Sequence, residues 1–128
     1  MNQPRRLAAP RQANALHDVL APWSDRVIHI EVIARPPVAY SLGLLAGVLG
    51  RDAEADDHFA TALEVASRMQ APLFAAMSRV EWAALRLDRG RGDPHEARAL
   101  VSDGLETAAA ARAGGIERRA RAVIARHF

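Results

Sequence analysis

Residues 37–69 read PVAYSLGLLAGVLGRDAEADDHFATALEVASRM, and this stretch decides the fold. Tyr40, Leu44, Leu45 and Val48 are apolar at helical spacing behind Pro36-Pro37, and Gly50 closes the run. Asp52 then stands as a cap for a second run, whose apolar face is Ala55, Phe59, Ala62, Leu63 and Ala66. Two amphipathic helices joined by a glycine turn make one antiparallel pair. Small residues at Gly43 and Ala55 let the two helices approach closely. The bulky Phe59 is placed to plug the gap between this pair and the next.

The pattern recurs. Residues 79–108 read RVEWAALRLDRGRGDPHEARALVSDGLETA. Trp82-Ala83, Gly90, Ala97, Val101, Gly104 and Leu105 answer Leu42-Gly43, Gly50, Ala55, Phe59, Ala62 and Leu63. The offset is 40 residues in the first half and 42 in the second, because Gly92-Asp93-Pro94 lengthens the second turn. Pro72 starts this second pair, with Asp93 as cap and Pro94 in the first turn of its second helix. Gly114-Gly115 breaks that helix, and Ile116 to His127 forms a short arginine-rich last one.

Upstream, Ala13, Leu16, Val19 and Leu20 mark a helix over 11–21 that Pro22 ends. Val27 to Ile33 is β-branched and partly alternating, and reads as extended or as a helix. Residues 1–10 are polar and read as a mobile tail. The expected organisation is thus a tail over 1–10 and one all-α domain over 11–128. Its repeats cover about 37–70 and 72–113, with a C-terminal helix over 115–127.

At Leu42-Gly43, Gly50, Ala55, Phe59 and Ala62 the chain resembles the tetratricopeptide repeat family. More narrowly, residues 37–69 and 79–108 are similar to the C-terminal helical repeats of large bacterial ATP-binding signalling proteins. These include LuxR-type transcriptional regulators and ATPase-linked nucleotide cyclases. The resemblance covers roughly residues 15–115 and implies antiparallel pairs stacked as a right-handed superhelix, a short α-solenoid. The repeat here is longer than the family's usual length of about 34 residues. The second repeat lacks a glycine at position 83 and an aromatic at position 101. The P-loop, cyclase segments and DNA-reading helix–turn–helix of such regulators have no counterpart, so the resemblance implies the repeat region alone.

The resemblance also implies a groove, lined by the first helix of each pair, that receives an extended peptide or helix. Carried over residue by residue, its positions are Tyr40, Leu44 and Val48 in the first repeat. In the second they are Val80, Ala84 and Asp88, with Arg79 close by. Such a groove is mainly apolar. Covering by the N-terminal helix and the 27–33 segment is an equal alternative to ligand contact.

Composition narrows the chemistry. The chain has 128 residues, 28 of them alanine, which favours helix over strand. It has no cysteine, and all 17 basic residues are arginine. Disulfides, thiolate catalysis and cysteine-bound zinc are excluded, as are a P-loop lysine and a Schiff base. A reducing cytoplasm is the expected setting. The N-terminal MNQPRRLAAP has no apolar run to act as a signal peptide, and no stretch approaches the about 20 residues of a membrane span.

The isoelectric point near 10.3 sits beside a net charge of only +2. The two agree because few groups titrate between neutrality and pH ~10 in a chain without lysine. Location says more than the total. Residues 1–11 hold three arginines and no acid; 12–111 hold nine arginines against fourteen acids; 112–128 hold five arginines against one. A mildly acidic body lies between basic ends.

Four of the five histidines fall in local clusters: His17-Asp18, His29-x-Glu31, Asp56-Asp57-His58 and His95-Glu96. None has two histidines at i,i+4 or a His-Glu-x-x-His order, so no metal and no cofactor is expected. Glu54, Glu64, Glu81, Glu96 and Glu106 are spread over different helices, and no serine has a nucleophile-elbow setting. Nothing in the sequence favours an enzyme. Arg118, Arg119 and Arg121 are candidates for phosphate or partner contact, without aromatic residues between them to stack bases. The expected function is a non-catalytic protein-interaction or regulatory module that associates with itself or another protein. An arginine-tailed nucleic-acid-binding accessory of a transcription regulator is the alternative.

Overall fold

Every regular element among the described residues is a helix. The computed structural model describes residues 14, 15, 17–19, 21 and 38–128. Asn14, Ala15 and His17 to Val19 are helical, as the 11–21 reading expects. The tail over 1–10 and the segment over 27–33 lie outside the described residues. Five helices follow: α1 (Val38–Val48), α2 (Asp52–Arg68), α3 (Pro72–Asp88), α4 (Pro94–Ala110) and α5 (Gly114–His127). Among the described residues, no helix is long and apolar enough to cross a membrane.

The helix starts follow local chemistry. Pro72 and Pro94 each occupy the first turn, where a missing N–H costs nothing. The Asp93 carboxylate accepts a hydrogen bond from the His95 amide at 2.9 Å, as a cap should. Asp52, expected as a cap, is instead the first helical residue. The Arg51 carbonyl accepts the first helical bond, from the Ala55 amide at 2.9 Å. There Asp52 and Glu54 place negative charge where the helix dipole is positive.

Four helices end by the same device. Gly50, Gln70, Gly90 and Arg112 have positive φ values of 75°, 55°, 61° and 56°. In each turn the following amide reaches back five residues. The bonds are Arg51 to Ala46, Ala71 to Ala66, Arg91 to Arg86 and Ala113 to Ala108, at 2.8–2.9 Å. These are Schellman closures, which satisfy carbonyls the helix end would leave bare. Gly50 and Gly90 are 40 residues apart, while Gln70 and Arg112 are 42 apart, so the helix ends repeat at the two offsets read from the sequence. The turn expected at Gly114-Gly115 falls earlier, at Arg112. The two glycines become the first residues of α5.

The chain divides into two compact units, residues 1–65 and 66–128. In the first, α1 lies antiparallel to α2 across the short Leu49–Arg51 turn. The buried face of α1 is Val38, Ala39, Leu42, Gly43, Ala46 and Gly47. A β-carbon added at Gly43 would stand 2.8 Å from the Phe59 ring, so only glycine leaves room for that ring. Phe59 is 1% exposed, and Tyr40 meets it edge-on with centroids 6.3 Å apart. Phe59 therefore fills space inside its own pair.

In the second unit α3, α4 and α5 all pack on one another. Val80, Ala83, Ala84, Ala97, Val101, Ala120 and Val123 form one buried cluster, with Leu87, Leu100, Leu105, Ile116 and Ile124 packed around it. The combination at the repeated positions changes together: Gly43 with Phe59 in the first pair, Ala83 with Val101 in the second. A smaller second-helix residue accompanies a methyl on the first. A close approach within the core of this unit is at Gly104, where an added β-carbon would lie 2.6 Å from Val80 Cγ2 and 3.1 Å from the Ala76 carbonyl oxygen.

Candidate functional site

The first-repeat groove positions stay on the surface. Leu44 is 38% and Val48 64% exposed, one turn apart on α1. Tyr40, a turn before them, is half-buried and turned toward Phe59. Helix α1 carries no charged residue from Val38 to Val48. Its outer face is thus apolar without the usual solvated charges.

The second-repeat positions are corrected by the structure. Val80 and Ala84 are 1% and 4% exposed and belong to the core, so they line no open groove. The cause is tertiary: α4 meets Val80 at Gly104, and α5 packs on α3 as well as on α4, so α3 has two covered faces. Asp88 remains exposed but is engaged by α5. His127 Nε2 lies 2.8 Å and Arg126 Nε 3.6 Å from its Oδ1. Arg79 is half-buried and lines an open depression of ≈660 Å³ with Asp103, Glu106 and Thr107.

The last-helix arginines are largely engaged within the chain. Arg119 donates two hydrogen bonds to the Glu81 carboxylate, at 2.8 and 3.0 Å, a bidentate pairing that ties α5 to α3. Arg121 pairs with Glu117 one turn earlier at 3.1 Å. Arg118 is exposed, and its guanidinium lies over Gly114. The apolar face of α5 is inward, with Ala120 and Val123 buried. This helix closes the second unit.

A cluster that the local spacing did not join appears in the first unit. His17, from the N-terminal helical segment, lies beside Glu54 and His58 of α2. The Nε2 atoms of His17 and His58 are 3.0 Å apart, and their rings meet edge-on with centroids at 5.0 Å. Glu54 Oε2 is 3.3 Å from His17 Nε2. His17 is 5% exposed, and its Nδ1 is buried without a hydrogen-bond partner, 3.6 Å from Asp18 Oδ1. Arg51 Nη1 lies 3.8 Å from Glu54 and 3.9 Å from Asp18, and its Nη2 donates to Asn14 Oδ1. Burial pushes the His58 pKa below its ordinary value, and the neighbouring His17 adds to that; Glu54 and Asp57 oppose it.

Glu54 and His58 stand at i,i+4, hence on one face of α2. That spacing is the signal in the sequence that could have found half of the cluster. His17 lies 41 residues from His58 and only the fold supplies it. His95 is exposed at the start of α4, and His29-x-Glu31 falls outside the described residues.

Compared with protein-family models, with curated proteins and with solved structures, the chain has no match.

Proposed function

We propose that the chain is a non-catalytic protein-association module built from tetratricopeptide-like helix pairs, and that it associates with a second copy of itself through the outer face of α1. The observation that carries this reading is an uncharged helix with Leu44 and Val48 in solvent. A helix apolar on all sides belongs in an interior, and a partner surface supplies one. The repeated turn geometry at the 40- and 42-residue offsets supports the helix-pair repeat. On this reading the pairs stack as a short right-handed α-solenoid, as in the regulatory repeats that the sequence resembles. The cytoplasm of a bacterium, alongside transcriptional or signalling regulators, is the setting that fits.

Sedimentation velocity across the micromolar range tests this. The wild-type chain is expected to associate with rising concentration. The Leu44→Asp, Val48→Asp double variant is expected to remain monomeric with unchanged far-ultraviolet dichroism. A wild-type chain that stays monomeric throughout, or a variant that associates equally, would overturn the reading.

A further inference from the structure

We propose that His17, Glu54 and His58 form a binding site for one divalent transition-metal cation of the zinc class, which clips the N-terminal helical segment to α2. The donor atoms of the three lie within 4.8 Å of one another. Two nitrogen or oxygen ligands at about 2.0–2.1 Å from a tetrahedral ion are separated by about 3.3–3.4 Å. The Nε2–Nε2 distance of 3.0 Å and the Nε2–Oε2 distance of 3.3 Å approach that edge length, so small side-chain rotations seat the ion.

Donor chemistry agrees with the geometry. Two imidazoles and one carboxylate suit zinc, cobalt or nickel better than calcium or magnesium, which prefer all-oxygen shells. A cation on His17 Nε2 places the ring proton on Nδ1. That N–H then faces Asp18 Oδ1, the usual partner of a metal-bound histidine. At 3.6 Å that oxygen stands just beyond hydrogen-bond range, so a small rotation of the exposed Asp18 side chain would give the buried Nδ1 its partner. Charge balances as well. Among the described residues, Glu54, Asp18 and Asp57 surround the imidazoles with Arg51 as the cation beside them, a negative balance that suits a divalent ion. Glu54 is 51% exposed, so the ion has a path from solvent and an open side for water.

The site has a structural consequence. His17 belongs to a segment separated from α2 by more than 30 residues. A ligand there closes a long loop, and the ion's binding energy adds to the stability of the folded state.

Isothermal titration calorimetry of the full chain, freed of metal by chelator and titrated with zinc chloride, tests the site. One equivalent is expected to bind, with the thermal midpoint rising on addition. Even outer partners of a metal site are worth about 10–100-fold in affinity, so Glu54→Gln, His58→Gln and His17→Gln should each weaken binding at least about tenfold. Glu54 is exposed, and Glu54→Gln keeps the fold should a histidine variant unfold. His95→Gln should bind as the wild type does. Titration with cobalt chloride should give the intense visible absorption of a tetrahedral site, lost in Glu54→Gln. Undiminished zinc affinity in the His17→Gln, His58→Gln double variant, or loss of binding in His29→Gln alone, would overturn the assignment.

Discussion

Phe59→Ala is expected to lower unfolding stability by about 3–5 kcal/mol. Among the described residues, Phe59 is the largest fully buried side chain. Its ring fills the space that Gly43 leaves open, and the edge of Tyr40 rests on it. Truncation removes the transfer energy of the ring and leaves a cavity that the neighbours cannot collapse into, because Gly43 has no side chain to follow. Domains of this size have about 5–15 kcal/mol in total, so the variant should stand near the edge of unfolding. Urea denaturation followed by circular dichroism measures the loss. A change of less than about 1 kcal/mol would mean that the helix pair is not held by this contact.

The second large effect is expected at Gly104. An alanine there puts its methyl 2.6 Å from Val80 Cγ2 and 3.1 Å from the Ala76 carbonyl oxygen. The valine is locked in the core and the carbonyl is backbone, so neither moves freely. Overpacking of this kind costs about 1–3 kcal/mol. The helix-propensity gain of alanine over glycine, about 1 kcal/mol, offsets part of it. Gly104→Ala should therefore lower the denaturation midpoint despite improving local helicity. In a Val80→Ala background the nearest obstacle is gone, and the same substitution should become neutral or stabilising. An equal loss in both backgrounds would show that the contact is not between these two residues.

Both positions were visible as members of a repeat before any geometry, and much of the fold was legible in the same way. Prolines 72 and 94, the Asp93 cap and the glycines at 50 and 90 encode their helix ends locally, by restricting φ or by supplying an acceptor. The ends at Gln70 and Arg112 were hidden, because a non-glycine residue with positive φ has no sequence signature. The glycines at 114 and 115 drew the expected break two residues too late. Phe59 was read as a plug between pairs, whereas its ring packs on Gly43 within one pair. Which gap a bulky residue fills depends on side-chain direction as well as on spacing.

Groove positions illustrate the limit more sharply. Tyr40, Leu44 and Val48 and their counterparts Val80, Ala84 and Asp88 share a register, yet Val80 and Ala84 are core residues. Val80 packs against Gly104 of α4, while α5 covers a second face of α3 and engages Asp88 through Arg126 and His127. No local pattern in α3 announces these contacts. On α5 itself, Arg119 is engaged by Glu81 of α3 and Arg121 by Glu117, two of the three arginines that suggested phosphate contact. His17, Glu54 and His58 show the converse case. Three residues whose local spacing gives no ligand set converge once a distant segment is folded onto α2.

Gly43 of α1 and the Phe59 ring of α2 are matched in the first pair, while the corresponding Ala83 and Val101 share one buried cluster in the second. A double-mutant cycle in urea tests this matching most directly, by transplanting the second combination into the first pair. Gly43→Ala alone should destabilise, because its methyl meets the Phe59 ring at 2.8 Å. In a Phe59→Val background the same substitution should be neutral or stabilising, which gives a favourable coupling of at least about 1 kcal/mol. Strict additivity of the two substitutions would contradict the account.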